Sequence, residues 1–367
     1  MVHSTLRRSG VVLGCLLLSA CQRDSFATGR DRTMYLGAAG AWQTAYGQMA
    51  RRGIEMAVEE LNQQSGPKKQ GVSVIFRDDQ AEGDLAARIA REFVDDQRIV
   101  GVIGHLSSGA MVAAARVYDG ELAALSPSTT SPDLSGVSRW IFRLAPSDSM
   151  TGKKLGELAR RQAVNKRVAV IYDNTSYGRG LVEPFLDALG LAPVALEPID
   201  PSADSITVNV ASIARHKPDI VFAVGTISGP PVLKALRAQG ISAPVIAGDG
   251  WSGIETLMPV RNVAIALPFS STEVRPDAKR FVAAFRARYR VDPDAYAALS
   301  YDATIALARA ASAGSSRAGT RTVLSGMRDS RGYATGAVSF SPNGDPVGRS
   351  MHLLRIDGAT RSFGEMP

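Results

Sequence analysis

From residue 33 onward, short apolar runs alternate with amphipathic stretches, and this alternation limits the fold more than any other feature of the chain. In the stretch 44–64, Tyr46, Met49 and Ala57 recur at helical spacing on one face, and Gly66-Pro67 ends the pattern. Such alternation predicts βαβ units with parallel sheets. The predicted strands are 34–39, 72–76, 99–103, 123–125, 168–172, 220–224, 244–247 and 263–267, and the predicted helices include 44–64, 85–94, 109–118, 178–190 and 230–239.

The second half of the chain partly repeats the first. The segment "IVGVIGHLSSGAMVAAA" from Ile99 aligns with "IVFAVGTISGPPVLKAL" from Ile220, and the same offset places Ser128 on Asp249. One duplicated unit predicts two similar lobes rather than a many-copy array. Because ligands of parallel sheets bind at the carboxyl ends of the strands, we expect the loops of the two lobes to face one another across a cleft. These loops are 104–109, 126–131, 225–229 and 248–253.

The first twenty residues have the build of a secretory signal peptide. Arg7-Arg8 gives a positive start, and the apolar run 11–18 is too short to span a bilayer. The run ends in "LSAC", which resembles the bacterial lipobox, where cleavage precedes a cysteine that carries lipid. The predicted parts are therefore a signal peptide at 1–20, a lipidated Cys21 and a polar tether over 21–32. The alternative is an ordinary cleaved signal with a cysteine there by chance.

These features predict a protein of the cell envelope, anchored by lipid and facing the periplasm. The chain has two cysteines, Cys15 in the predicted signal and Cys21 at the predicted anchor. The mature domain is therefore expected to have neither a disulfide nor a thiol nucleophile.

Composition and charge disfavour several classes of function. Apolar residues at 45% and charged residues at 21% are ordinary values for a globular protein. The formal net charge of +7 is spread along the chain without a run of five basic residues, which disfavours nucleic-acid binding.

Catalytic motifs are weak. "GHLSSG" (104–109) is not a G-x-S-x-G nucleophile motif, and His105, His216 and His352 do not have metal-ligand spacing. Asp78-Asp79 follows a predicted strand, where a solvated turn is favoured over a functional carboxylate pair. We therefore expect no enzyme activity, no catalytic residue and no metal site.

The segment "GDGWSG" (248–253) matches the G-x-G-x-x-G dinucleotide fingerprint between a predicted strand and a plausible helix. A dinucleotide fold also needs an acid at the end of the next strand, to hold the ribose hydroxyls. That strand, 263–267, is followed by Pro268-Phe269-Ser270, and Glu273 comes several residues too late. We therefore expect no cofactor, and we expect Gly248 and Gly250 to allow a sharp turn that brings Asp249 into the cleft.

Hydroxyl groups are dense in "SPSTTSPDLS" (126–135), which follows a predicted strand. Such a loop can present hydroxyls and backbone N–H groups to a carboxylate or phosphate, although a turn with hydroxyl caps would have the same composition. Asp249 lies on the facing loop and could pair with an ammonium group. Hydroxyls opposite an acid suit a zwitterion with an α-carboxylate and an α-amino group.

The stretch "VIGHLSSGAMVAAARVYDGELAALSPSTTSPDLS" (102–135) resembles the leucine/isoleucine/valine-binding proteins of bacterial ABC importers. "AYGQMARRGIEMAVEELN", "FRLAPSD" and "VAVIYDNTSYGRGL" resemble the same family, and the likeness covers nearly all of 33–357. It implies an α/β fold with two Rossmann-like lobes joined by three hinge crossings, near 144–148, 267–271 and 333–338. The implied lobes are 33–145 with 269–335 for the first, and 146–268 with 336–360 for the second.

The resemblance also implies roles for single residues. Ser108 and Thr130 match hydroxyls that hold the ligand carboxylate, and Ser128 matches a backbone contact to the amino group. Asp249 falls where the family places an acid against the ammonium. The matching aromatic residues are Tyr46 in the first lobe and Tyr177 in the second.

Some features depart from the family pattern. Gln80 and Ser107 occupy the expected positions of a family disulfide, and Thr226 and Ile227 replace aromatic residues found in some members. The function implied is that of a monomeric, lipid-anchored solute-binding protein that passes a branched-chain amino acid or a relative to an ABC permease. The alternative is a ligand-sensing lipoprotein for an amide or a small aromatic acid.

Overall fold

The computed structural model describes Met1 and residues 33–65, 71–200 and 203–366. The predicted signal peptide beyond Met1, the predicted lipid anchor Cys21 and the predicted tether lie outside the described residues. Within the described ranges, no helix is long and apolar enough to cross a membrane.

Helices and strands alternate along the chain in two lobes. The first lobe begins with β1 (Thr33–Gly40), α1 (Ala45–Ser65), β2 (Gly71–Asp78), α2 (Gly83–Asp95), β3 (Ile99–Ile103), α3 (Ser108–Tyr118), β4 (Ala124–Ser126) and β5 (Ile141–Arg143). The second lobe continues with α4 (Asp148–Gln162), β6 (Val168–Asp173), α5 (Ser176–Leu189), β7 (Ala195–Ile199), α6 (Ala203–Arg215), β8 (Ile220–Val224), α7 (Gly229–Ala238), β9 (Val245–Ala247), α8 (Ile254–Leu257) and β10 (Val263–Leu267). The chain then forms α9 (Pro276–Tyr289), α10 (Ala295–Gly314), α11 (Arg317–Ser325), β11 (Arg328–Asp329), β12 (Val338–Ser339), β13 (His352–Asp357) and β14 (Thr360–Glu365).

The first lobe has a five-stranded sheet in the order β2-β1-β3-β4-β5, in which all neighbours are parallel. Its strands β3, β4 and β5 are fully buried, as expected for a parallel sheet covered by helices, whereas the edge strand β2 is only partly buried. Leu36, Ile103 and Phe142 pack with α1, α9 and α10 on one face, and Val102 and Ile141 pack with α2 and α3 on the other.

The second lobe has a seven-stranded sheet in the order β14-β13-β10-β9-β8-β6-β7. The strands from β6 to β10 pair in parallel, with α6 and α7 on one face and α4 and α5 on the other. The hairpin β13–β14 adds two antiparallel strands beside β10. The predicted fold class, two parallel α/β lobes, is confirmed, and the antiparallel edge is an addition that the sequence analysis did not foresee.

Within the described residues, the chain passes between the lobes three times. It leaves the first sheet after Arg143 and enters α4 at Asp148, and it returns after Leu267, since Phe269 already lies in the core of the first lobe. The third crossing comes later than the predicted 333–338.

The pairing of β11 with β12 keeps the chain in the first lobe beyond the predicted third crossing. Val338 pairs with Asp329, and Phe340 packs against Phe142 with ring centroids 5.2 Å apart. Arg143 Nε donates to Asp345 Oδ1 over 2.7 Å. Met351 is in the core of the second lobe, so the chain crosses between Asp345 and Met351.

Candidate functional site

A cavity of about 210 Å³ lies between the lobes at the carboxyl ends of the strands. This is the location predicted from the parallel topology. Five of the six residues proposed from the sequence line the cavity: Tyr46, Ser108, Ser128, Tyr177 and Asp249. The lobes meet beside it, because a Cβ added at Gly180 of α5 would lie 2.8 Å from Pro132 Cδ of the first lobe.

The first lobe contributes the amino end of α3. Ser107 caps this helix by accepting from Ala110 N over 3.4 Å, and Ser108 Oγ accepts from Ser131 N over 3.4 Å. Ser128 Oγ donates to Leu106 O over 2.8 Å, so its hydroxyl is occupied within the lobe. The first N–H groups of a helix have no intrahelical partner and carry a partial positive charge. This wall of the cavity is therefore suited to an anionic group.

Thr130 does not line the cavity. Its side chain is fully buried, and its hydroxyl has no hydrogen-bond partner among the described residues. Its carbonyl accepts from Asp148 N over 2.9 Å, which ties the end of the hydroxyl-rich loop to the start of α4. Thr130 is therefore not exposed to this cavity for the predicted contact with the ligand carboxylate.

Asp148 is a buried acid that the sequence analysis missed. Neither of its carboxylate oxygens makes a well-aligned hydrogen bond within the described part of the chain, although the Thr130 hydroxyl is close enough to lower its pKa. Burial raises the pKa of Asp148 well above its usual value, and repulsion from Asp249 adds to this, whereas Thr130 and Arg143 oppose it. Two acids therefore influence one another close to the cavity.

Asp249 provides the negative wall of the second lobe. Its Oδ1 accepts from Tyr177 Oη over 2.8 Å, and that hydroxyl accepts from Gly250 N over 2.9 Å. Burial raises the pKa of Asp249 to about 6, although the hydrogen bond from Tyr177 lowers it. No Lys, Arg or His is among the described residues that line the cavity. A buried carboxylate without a cation is unfavourable, and a ligand ammonium would remove that cost.

Gly248 and Gly250 are needed for space and not for a special turn. Gly248 has φ −81° and ψ 178°, which any residue can adopt. A Cβ at Gly248 would lie 2.5 Å from Tyr177 Oη, and one at Gly250 would lie 2.5 Å from Gly225 O. The predicted reason for these glycines was therefore wrong, although their loop does bring Asp249 to the cleft. The helix that follows, α8, has only four residues, unlike the long helix of a dinucleotide fold.

Tyr296 is a second aromatic wall that the sequence analysis missed. A Cβ at Gly53 would lie 2.1 Å from Ala297 O, so this glycine lets α1 and α10 pack closely. The first turns of the two helices therefore bring Tyr46 and Tyr296 together, with ring centroids 5.1 Å apart. The sequence feature that could have located the start of α10, and hence Tyr296, is Asp294, a typical N-cap residue that accepts from Ala297 N over 2.9 Å. Leu106, Thr226 and Ile227 also line the cavity.

Of the residues considered for catalysis, His105 and Asp79 form a buried network with Tyr118. His105 Nδ1 lies 2.7 Å from Asp79 Oδ2, and Nε2 lies 3.1 Å from Tyr118 Oη. Both ring nitrogens are therefore occupied, and neither is free to activate a serine. Asp79 is fully buried, so the expected solvated turn was wrong for this residue. The described residues contain no group of three or more His, Cys, Asp or Glu able to hold a metal ion.

Comparison with known proteins gives consistent matches over most of the described residues. The family described as "Periplasmic binding protein" matches residues 35–361. Leu/Ile/Val-binding protein homolog 2 of Brucella abortus is 26% identical over 316 residues, which is 83% of this chain and 84% of that protein.

Solved structures show the same likeness. The branched-chain amino acid transporter substrate binding protein LivJ from Streptococcus pneumoniae, in complex with isoleucine, is similar with a TM-score of 0.82 and 25% identity, over 90% of this chain and 99% of that one. An ABC transporter substrate-binding protein from Desulfitobacterium hafniense, in complex with Leu, has a TM-score of 0.75 and 28% identity over the same shares.

Proposed function

Because the chain belongs to the periplasmic binding protein family, we propose that it captures a small α-amino acid between its lobes and delivers it to the permease of an ABC importer. The chain is a binding protein of the branched-chain amino acid transporter type and not an enzyme, and it acts outside the cytoplasm. The proposal adds the ligand class, a branched-chain amino acid or a close relative. It also adds transfer to a permease by a monomer held at the membrane through lipid on Cys21.

The observation that carries the proposal is the buried, cation-free carboxylate of Asp249. It faces the cavity from the second lobe, and its described hydrogen bonds leave its negative charge unneutralised. An α-ammonium supplies the missing charge. A small aromatic acid or a simple amide has no ammonium and would leave Asp249 unpaired, so these ligands of the alternative function fit less well.

The opposite wall suits the α-carboxylate of the same ligand. The amino end of α3 offers backbone N–H groups, and Ser108 lies in its first turn with its hydroxyl beside the loop 126–131. We assign the carboxylate to this helix end and to Ser108, with Thr130 joining when the ligand is bound. Ser128 is assigned a backbone contact because its hydroxyl is already used.

Apart from Asp173, whose Oδ2 accepts from Thr226 N over 3.3 Å, the rest of the cavity suits a short, uncharged side chain. Tyr46, Tyr177 and Tyr296 supply aromatic surface, and Leu106 and Ile227 supply aliphatic surface. The volume of about 210 Å³ is below the ~300–1,000 Å³ of pockets for drug-sized ligands. No basic residue in the lining could pair with a second carboxylate, so glutamate-like ligands are disfavoured.

A set of matched ligands tests this assignment. Thermal unfolding of the protein should be compared with leucine, with 4-methylpentanoate, which lacks the amine, and with 3-methylbutylamine, which lacks the carboxylate. A ligand of the folded state raises the free energy of unfolding by about 2.7 kcal/mol at 100 times its Kd. Leucine or another neutral amino acid should stabilise the protein, and the two truncated analogues should not. Stabilisation by 4-methylpentanoate alone would show that the site takes acids without an amine.

A further inference from the structure

A second cavity, of about 490 Å³, lies on the first lobe and shares no residue with the cleft. It is formed by the loop before β5, by α11, and by the segment that follows β12. Arg139 precedes the amino end of β5, whereas the solute cavity is at the carboxyl ends of the strands. A ligand here would therefore not compete with the solute.

Three arginines line this second cavity: Arg139, Arg321 and Arg328. None of the described residues in the lining is acidic, and none of the three makes an ion pair with a described carboxylate. Other arginines of the same lobe do pair, for example Arg51 with Glu55 at 2.9 Å. Asp119 is connected to the lining through Ser138, because its Oδ1 accepts from Ser138 Oγ over 2.6 Å.

Backbone carbonyls hold two of these guanidinium groups in place. Arg321 Nε donates to Arg139 O over 3.1 Å. Arg328 Nη1 donates to Met327 O over 2.7 Å and to Phe340 O over 3.3 Å. A guanidinium has five N–H groups in a planar fork, so most of its donors remain available to a ligand. Like charges around one cavity repel each other, and a bound anion would relieve that repulsion.

We propose that this three-arginine cavity binds a phosphate group carried by a small organic body. The planar fork of arginine matches the oxygens of a phosphate, and charge-assisted hydrogen bonds of this kind are short and strong. The volume exceeds what an inorganic phosphate fills, and Phe340, Pro342 and Asn343 offer surface for the attached body. The same chemistry occurs in soluble phosphate esters and in the head groups of anionic phospholipids.

Calorimetry at low ionic strength with the purified protein tests the proposal. The probes are glycerol 3-phosphate, a soluble monoester, and dihexanoyl phosphatidylglycerol below its micelle concentration, with dihexanoyl phosphatidylcholine as the zwitterionic match. Binding of glycerol 3-phosphate alone would identify a soluble ester as the ligand. Binding of phosphatidylglycerol but not of phosphatidylcholine would identify an anionic head group. Either result supports the site, and added salt should weaken binding, because the charges are near the surface.

Two variants keep the test specific. The double change Arg321→Gln with Arg328→Gln should weaken binding by about tenfold or more, the order expected when charged hydrogen bonds are lost. Arg139→Gln is included in case the double variant does not fold, because no described hydrogen bond of the Arg139 side chain would be lost. This variant should also weaken binding. Arg91→Gln removes an exposed arginine of α2 that does not line the cavity and should change nothing. If no probe binds the wild-type protein, or if the variants at the cavity bind as well as Arg91→Gln, the proposal is wrong.

Discussion

Replacing Asp249 should separate the charge of the proposed ammonium site from its shape. Asp249→Ala removes the carboxylate and leaves Tyr177 without its acceptor at 2.8 Å. Removing one member of a buried, hydrogen-bonded charge pair costs about 2–5 kcal/mol. At about 1.4 kcal/mol per tenfold change, amino-acid binding should weaken by roughly 30-fold to several thousand-fold. Asp249→Asn keeps an acceptor for Tyr177, so its loss of affinity reports the charge alone.

The dependence of affinity on pH gives a second reading of the same group. Burial raises the pKa of Asp249 to about 6, so the unliganded protein holds a proton there at lower pH. An ammonium requires the ionised carboxylate, and binding must then expel that proton. The affinity of the wild-type protein should therefore fall as pH drops below about 6, by up to about tenfold per pH unit. Asp249→Asn should lose this dependence.

The measurement is isothermal titration calorimetry with leucine, or with the neutral amino acid that stabilises the protein best. It should cover about pH 5 to 8, a range that brackets the raised pKa of Asp249. Glu183→Gln is the matched control, because it removes an exposed acid of the same lobe that does not line the cavity. Suppose that Asp249→Ala binds within about twofold of the wild type, less than roughly 0.5 kcal/mol. Asp249 would then not be the partner of an ammonium, and the proposed ligand class would be wrong.

Four other outcomes are expected. In the unliganded protein, the free energy of unfolding should decrease as the pH rises from about 4 to about 6, because folded Asp249 retains a proton that the unfolded chain has released. Asp249→Asn should lack this decrease in urea titrations. Gly248→Ala should cost about 1–3 kcal/mol in denaturant titrations, since its Cβ would lie 2.5 Å from Leu181 Cδ2, whereas Gly364→Ala meets nothing within 4 Å and should be neutral. Saturating ligand should reduce the radius of gyration in solution scattering if the lobes hinge at their crossings, and an unchanged radius would contradict closure. Cys21→Ser should leave the precursor uncut or release the protein from membranes, and wild-type protein without lipid by mass spectrometry would contradict the anchor.

The parallel core of the fold could be predicted because buried strands are short continuous apolar runs. The runs at Ile99–Ile103 and Ile220–Val224 match observed strands residue for residue. The antiparallel hairpin β13–β14 was missed, although the two-residue connection between its strands, Gly358-Ala359, begins with a glycine, which is typical of tight hairpin turns. The third crossing was misplaced because the resemblance carried no local signal for it. The segment stays in the first lobe because Phe340 packs against Phe142, and such a tertiary contact is not indicated by the local sequence.

The candidate site could be predicted where its residues follow strands, and less well elsewhere. Ser128 and Asp249 follow the ends of β4 and β9, and Ser108 begins the helix that follows β3, where the topology directs ligand contacts. Tyr296 lies in the first turn of a helix far along the chain, and its place beside Tyr46 depends on the close packing allowed by Gly53. Asp148 lies at a crossing, and nothing in its local sequence indicates that burial would leave its carboxylate without a partner.

The site should discriminate among ligands more sharply at the α-carbon than along the side chain. A missing ammonium leaves Asp249 buried and unpaired, at a cost of about 2–5 kcal/mol. A missing methylene against Leu106, Ile227 and the tyrosines changes binding by only about 1–3 kcal/mol. The charged contact can therefore separate amino acids from acids without an amine by roughly 30-fold to several thousand-fold, since about 1.4 kcal/mol corresponds to each factor of ten. The apolar wall separates leucine from valine far less. A protein built this way should accept several neutral amino acids of similar size, with affinities graded by how well each fills the 210 Å³ cavity.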